Sequence, residues 1–304
     1  MSGNTTIRKV VITEFSDASK VQIIQDTITP PKNHVWVATI YTGIGGADIN
    51  MRKGIYPVQK KAPLTPGYCL VGTVKTNEAE LVNLPEKYLI KVPACIDLQQ
   101  ATPLALDWST AYGMVFESAN VTGGQRVFVH GISGAVGFAL VYGTASERNH
   151  EAVRAQGATP FVYSDKNWIK IIKDLGSADA VLDPLVFKSW DESLSILTAS
   201  GVIVAYGGNL PSLNEGDNRS LIMPLMKLLA RGMVPFSGKK TRFYDISRDS
   251  AIFEPNLKEL FNLLAEVETT VWDLEDVPEA NRQWTSTPGV GSVILRFPDS
   301  KGQD

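Results

Sequence analysis

Three glycines spaced three residues apart, directly behind a short apolar run, constrain this chain more than any other stretch. Arg126–His130 (RVFVH) reads as a buried strand, and Gly131, Gly134 and Gly137 follow it. Such a backbone lets N–H groups approach a pyrophosphate, and a helix N-terminus behind it adds roughly half a positive charge. The next strand, Val141–Ala145, begins after only about nine residues, Ile132–Leu140, where a parallel crossover with its helix needs about a dozen or more. The sequence therefore predicts a phosphate-cradling turn on a shortened crossover.

The rest of the composition narrows the partners. With 304 residues, 44% of them hydrophobic and 20% charged, the chain can bury two cores. A net charge of -3 leaves no footprint for nucleic acid. Cys69, Cys95, His34, His130 and His150 stand too far apart for a zinc spacing, and two thiols make no disulfide framework. No metal is expected. The start, MSGNTTIRKV, lacks a signal-type apolar core, and no run approaches the ~18 apolar residues of a membrane span. A cytoplasmic protein without a membrane partner is expected.

Residues 7–90 read as β-rich, with strands near Lys9–Phe15, Val21–Gln25, Val35–Tyr41, Tyr68–Lys75 and Ala79–Val82. Gly43, Gly45 and Gly46 open a loop that carries Asp48, Arg52, Gly54, Tyr56 and Pro57. Asp97 caps a helical stretch to Ala119. After the glycine turn the rhythm becomes βα, from helix Glu147–Gln156 to strand Val202–Tyr206, and predicts a parallel sheet covered on both faces. Helices Ser220–Ala230 and Asn256–Val267 follow, and Ser292–Phe297 closes the chain as a strand. Linkers near Asn120–Gly124 and Asp249–Pro255 divide it into 1–119 with 256–304, and 120–255. The cluster Lys239, Lys240, Arg242 reads as a solvated face. Gly131-Ile132-Ser133-Gly134 also invites comparison with a nucleophile elbow, but its second glycine is misplaced and only His150 follows it, so a serine hydrolase is set aside.

The segments GGADINMRKGIYP (45–57), PLTPGYCLVGTV (63–74), VFVHGISGAVG (127–137), YGTASERNHEAVRAQGATPFVYS (142–164), ADAVLDP (178–184), GVIVAYG (201–207) and LEDVPEANR (274–282) together resemble the medium-chain dehydrogenase/reductase superfamily, in its zinc-independent quinone oxidoreductase and enoyl reductase branch. The resemblance implies an α/β fold: a GroES-like β domain plus a Rossmann-type doubly wound parallel sheet, here shortened at its first crossover. It implies NADPH as cofactor and direct hydride transfer to a small-molecule enone, enoyl or quinone substrate. Carried onto this chain, Gly131, Ser133, Gly134, Ala135, Val136 and Gly137 would cradle the pyrophosphate. Ser146, standing where an acidic residue would repel a ribose 2′-phosphate, would admit it, with Arg148 and Tyr163 as partners. Tyr206 and Gly207, at the end of a later strand, are further cofactor candidates. Tyr56, from an RxGxY loop, would be the catalytic residue and line the substrate pocket with Gly45 and Asp48. Gly45 stands where the family often has asparagine, which removes a polar anchor.

Two departures accompany the resemblance. The crossover after Gly137 is short, and an excursion that the family carries near Asn77–Glu78 is missing. They motivate an alternative expectation: a cofactor-free relative serving as a binding or scaffold protein or a redox-free enzyme. A homodimer is also expected, since Rossmann edge strands often pair.

Overall fold

The computed structural model describes residues 5–29, 31–56, 60–75, 81–136, 142–213, 219–233, 238–263, 267–286 and 289–298. Strands β1 (Thr5–Ile12) and β2 (Val21–Ile28) pair antiparallel in a sheet of their own. Next, β3 (His34–Ile44) runs into helix α1 (Gly46–Arg52), which occupies the segment read from sequence as loop. Asp48 explains the helix, because its Oδ2 accepts the Gly45 N–H at 2.9 Å and satisfies an amide at the helix start. Strands β4 (Leu70–Lys75) and β5 (Leu81–Pro85) both pair antiparallel with β3.

Helix α2 (Leu98–Pro103) starts at Asp97, whose carboxylate accepts from Gln100 N at 3.0 Å, as the sequence predicted. Pro103 has no N–H and its ring presses on the preceding turn. The helix widens there into π-helical Leu104–Trp108, returns as α3 (Ser109–Tyr112) and widens again over Gly113–Ser118.

The parallel elements follow: β6 (Val127–His130), β7 (Tyr142–Ala145), a 3-10 turn at Glu147–Asn149, α4 (His150–Ala155), β8 (Thr159–Val162), α5 (Asn167–Asp174), β9 (Ala178–Asp183), α6 (Lys188–Ser195), β10 (Leu197–Tyr206), α7 (Asn209–Ser212), α8 (Ile222–Gly232) and β11 (Lys240–Tyr244). The chain ends with α9 (Phe253–Leu263), β12 (Thr269–Asp273), α10 (Val277–Ser286) and β13 (Ser292–Arg296). Strand β13 lies antiparallel to β3 and parallel to β12, giving a second sheet in the order β12-β13-β3-β4, with β5 also on β3.

The six strands of the other sheet are all parallel, in the order β11-β10-β9-β6-β7-β8. Counted along the chain, this is the 3-2-1-4-5-6 order of a doubly wound dinucleotide fold. Alternation along β6 feeds two cores: Val127 and Val129 pack with Met114, Leu182 and Val204, while Phe128 packs with Trp168, Val181 and Ile203. Both faces are therefore covered.

The chain divides into two compact units, one of Met1–Leu106, Ser247–Thr287 and Ser292–Asp304, the other of Asp107–Ile246 and Pro288–Gly291. The first division lies inside the helical stretch, ahead of the Asn120–Gly124 linker that the sequence suggested. Met114 and Val115, before that linker, already belong to a core of the parallel sheet.

Candidate functional site

In an open parallel sheet, ligands bind outside the carboxyl ends of the strands, where the strand order reverses. Here the reversal falls between β6 and β9. Gly131 follows β6 directly, is exposed and has φ +70°, and a Cβ built on it meets no atom within 4 Å. The turn is thus bare on its outer side, as a backbone that receives a phosphate must be. Gly134 N–H closes the turn onto Gly131 O at 2.9 Å, and Ile132 N–H reaches Thr144 O at 3.0 Å. Residues 131–136 form turns rather than a helix. Gly137 and the rest of the crossover to Val141 lie outside the described residues.

The remaining cofactor candidates stand on the same edge of the sheet. Ser146 follows β7, Arg148 is exposed in the turn behind it, and Tyr163 follows β8, its N–H on Ala145 O at 3.3 Å. Tyr206 and Gly207 end β10; Tyr206 is buried, and burial, with Asp183 and Asp107 nearby, pushes its phenol up, so it stays protonated. Ser133 is buried, and its Oγ accepts from Asn149 Nδ2 at 3.0 Å, while its carbonyl accepts Gly291 N–H at 3.0 Å. Gly134 forms a parallel bridge with Gly291, and Asn149 Nδ2 also approaches Gly289 O at 3.4 Å. A late segment of the chain therefore clasps the glycine turn, an arrangement the sequence did not suggest.

Beneath this edge lies a buried polar network. Asp183, 0% exposed at the end of β9, accepts from Leu185 N at 2.8 Å, Ser189 Oγ at 2.7 Å and Ser193 Oγ at 2.6 Å. Since the Ser193 hydroxyl is donated to Asp183, its oxygen accepts from His130 Nε2 at 3.1 Å, and Thr144 Oγ1 sits 3.1 Å from Nδ1. Burial holds the His130 pKa below its ordinary value, against the opposite pull of Asp183 and Glu192 and with a small further lowering from Lys166. The neutral Nε2–H tautomer fits every contact. This is no hydrolytic triad, because the carboxylate engages the serine and not the far side of the imidazole. Beyond Asp183, Val186 (φ 72°) and Phe187 (φ 52°) are consecutive non-glycine residues in the left-handed region. Each costs on the order of 1–3 kcal/mol unless its surroundings hold it there.

The substrate-side candidates belong to the other unit. Asp48 is buried, its Oδ1 accepting Gly67 N–H at 2.8 Å and its Oδ2 engaged at the start of α1, so its carboxylate holds two loops together. Gly45 has extended backbone (φ -123°), and a Cβ there would make ordinary contacts with Asp48 and Leu106 at 3.9 and 4.0 Å, so no steric rule demands glycine. Tyr56 is half-buried, its ring centroid 6.1 Å from that of Tyr68. Fully buried Arg52 closes α1, donating from Nη1 to Ser16 O at 3.0 Å and from Nη2 to Thr285 Oγ1 at 3.4 Å. Gly54 (φ +72°) lies against the Phe15 ring, which a Cβ would approach to 2.9 Å.

No family model matches the chain. The human synaptic vesicle membrane protein VAT-1 homolog is 26% identical over 345 residues, spanning 95% of this chain and 86% of that protein. Quinone oxidoreductase from Lama guanicoe is 24% identical over 335 residues, spanning 97% and 98%. Among solved structures, Escherichia coli quinone oxidoreductase complexed with NADPH superposes with a TM-score of 0.79 at 18% identity, covering 96% of this chain and all of that one. The enoyl reductase CurK gives a TM-score of 0.77 at 17% identity, covering 96% and 99%. In sequence the chain is similar to the VAT-1 homologs and quinone oxidoreductases, and it shares the two-unit fold of solved quinone oxidoreductases and enoyl reductases. Both alignments with relatives are longer than this 304-residue chain, which is therefore shortened internally with respect to them.

The glycine turn, Ser146, Arg148, Tyr163, Tyr206 and Gly207 thus share the carboxyl edge of one sheet, while Gly45, Asp48 and Tyr56 lie at the start of, within and just beyond α1 in the other unit. Asn149, His130 and Asp183 were missed. The only signal for them in the sequence was their position at or just behind strand ends. Among the described residues no group of three or more His, Cys, Asp or Glu could hold a metal, and no helix is long and apolar enough to cross a membrane.

Proposed function

We propose that the chain is an NADPH-dependent reductase of an activated carbon–carbon double bond or a quinone. The carrying observation is the bare, left-handed Gly131 at the end of the central strand of a 3-2-1-4-5-6 parallel sheet. In this reading Gly131, Gly134, Ala135, Val136 and Gly137 receive the pyrophosphate, with Ser133 shaping the turn. Ser146, Arg148 and Tyr163 receive the ribose 2′-phosphate, and Tyr206 and Gly207 border the crevice. When bound, NADPH supplies the hydride. Tyr56 orients the substrate or hands it a proton, with Gly45 and Asp48 shaping the loop; catalysis rests chiefly on positioning.

Gly131→Val tests the placement. The side chain would project into open space and leave the folded core untouched, apart from backbone strain of about 1–2 kcal/mol. In a fluorescence titration NADPH affinity should fall by at least roughly a hundredfold, because a branched side chain blocks the close approach of phosphate to backbone. Unchanged affinity would remove the cofactor from this turn. Wild-type protein should bind NADPH more tightly than NADH.

A second reading, a cofactor-free binding protein or redox-free enzyme, draws on the Gly291 clasp and the absence of a helix over residues 131–136. A cooperatively folded wild-type chain that binds neither nucleotide would select it.

Small-molecule reduction in the cytoplasm as a homodimer completes the proposal; recovery of the chain in a washed membrane fraction would count against that location. At 3.6 residues per turn, Leu229, Ile222, Met233, Met226, Ala230 and Met223 fall on one arc of about 120° along and just past α8, and all are exposed, Met223 at 75% and Met233 at 78%. A contiguous apolar face of this kind marks an interaction surface. It adjoins β11, whose outer edge has no strand partner among the described residues and to which α8 is tied by Thr241 Oγ1 donating to Leu228 O at 3.0 Å. Met226→Glu should convert a dimer to a monomer in light scattering with the fold retained. A wild-type monomer at micromolar concentration would end this part of the proposal.

A further inference from the structure

The switch-point edge has a second wall besides the glycine turn. It is the connection from β9 to α6, and nothing in the reading above uses it. Leu185 and Phe187 are half-exposed there, while Val186 between them is 1% exposed. Val186 and Phe187 both occupy the left-handed region, which β-branched and aromatic residues avoid unless their surroundings force it.

The forcing contacts can be named. Asp183 Oδ1 holds Leu185 N–H, Ser189 N–H reaches Val186 O at 3.2 Å, and Asn209 N–H reaches Pro184 O at 2.6 Å. Asp183 is itself fixed by Ser189 and Ser193, and Ser193 is fixed by His130, the residue directly before Gly131. One continuous buried chain of hydrogen bonds therefore runs from the root of the glycine turn, through α6, to the strained connection. His130 stands edge-on to the stacked Phe128 and Trp168 rings, its centroid 5.2 Å from each, and this packing together with its two hydrogen bonds fixes the imidazole against Ser193.

We propose that Leu185–Phe187 is a wall of the dinucleotide crevice and that His130, acting through Ser193 and Asp183, is the positioning residue that sets this wall relative to the glycine turn. The inference rests on the dinucleotide reading above. The half-exposed side chains of the wall, Leu185 and Phe187, are apolar, and the Arg219 guanidinium lies 3.8 Å over the Phe187 ring. The wall therefore takes an uncharged ring or ribose face of the ligand, and the phosphates go to the turn. Strain held by a buried network is how a protein keeps such a surface in shape before the ligand arrives.

Hydrogen exchange on the full chain, with and without saturating NADPH, tests the inference alongside fluorescence titration. NADPH should slow exchange in both 131–136 and 185–189. His130→Asn cannot reach Ser193, and should speed exchange at 185–189 and weaken NADPH binding by roughly tenfold, the value of one lost hydrogen bond. His130→Gln, whose terminal amide can donate where Nε2 does, should restore most of the affinity. A purely structural histidine would instead weaken binding in both variants in step with their loss of thermal stability, which overturns the inference. Protection confined to 131–136 overturns it and leaves the proposed function standing. Failure of the wild type to bind NADPH overturns both.

Discussion

Asp183→Ala will lower the unfolding free energy by about 4 kcal/mol, the range for removing one member of a buried charged network. The carboxylate is fully buried and accepts three hydrogen bonds, from Leu185 N and the hydroxyls of Ser189 and Ser193. Its removal strands the two buried hydroxyl donors and the partly buried Leu185 amide, at about 1–3 kcal/mol for each that stays unpaired. The Ser193 hydroxyl can turn toward His130 and recover part of this; the Leu185 amide cannot. The strained Val186–Phe187 backbone, no longer held, will relax and offset a further part. For a unit of this size the thermal midpoint should drop by roughly 10 °C. Urea unfolding followed by tryptophan emission will report it, since Trp168 and Trp190 lie in the adjoining core. Asp183→Asn keeps the shape and one acceptor oxygen, and should cost about half as much. Equal stability of Asp183→Ala and wild type would mean that the three hydrogen bonds contribute nothing net.

Arg52→Ala will cost about 3–5 kcal/mol in the other unit, for a different reason. Removing a fully buried side chain of that length leaves a cavity and breaks its hydrogen bonds to Ser16 O and Thr285 Oγ1. Arg52→Met refills most of the volume without a charge to desolvate, and its loss should stay below about 1.5 kcal/mol. The comparison separates packing from polar ties. Because Arg52 closes α1 just before Gly54 and Tyr56, the alanine variant should also raise the KM for an enone substrate more than it lowers kcat. An unchanged KM with a large stability loss would confine Arg52 to a structural role.

Periodicity and glycine spacing made much of the fold legible. The βα rhythm from β6 to β10 follows from apolar runs separated by helical patterns, and the glycine spacing marks the turn that follows β6. Helix α1 and strand β11 are among the elements that escaped. Helix α1 hid behind Gly45 and Gly46, although Asp48 at its third position was an available capping signal. Strand β11 hid because Lys240 and Arg242 read as a solvated face, which suits an edge strand as well as a loop. Strand β10 begins earlier than the Val202 start read from sequence, at Leu197, which pairs with Ala178 before a register shift. The site was legible only where local chemistry marks it. Left-handed glycines announce themselves; left-handed Val186 does not, since its conformation is imposed by hydrogen bonds from residues distant in sequence. The His130–Ser193 contact spans 63 positions, and no local pattern encodes such a pairing.

The bridge between Gly134 and Gly291 bears on how the protein is made. A ribosome delivers the glycine turn well before the segment that fastens it, so the parallel-sheet unit cannot reach its final form until Gly291 has been synthesised. The same late stretch supplies β13, which fills the place between β12 and β3 in the other unit. Completion of both units thus waits on the same few residues, and a transcript that stops short of them would leave both halves open.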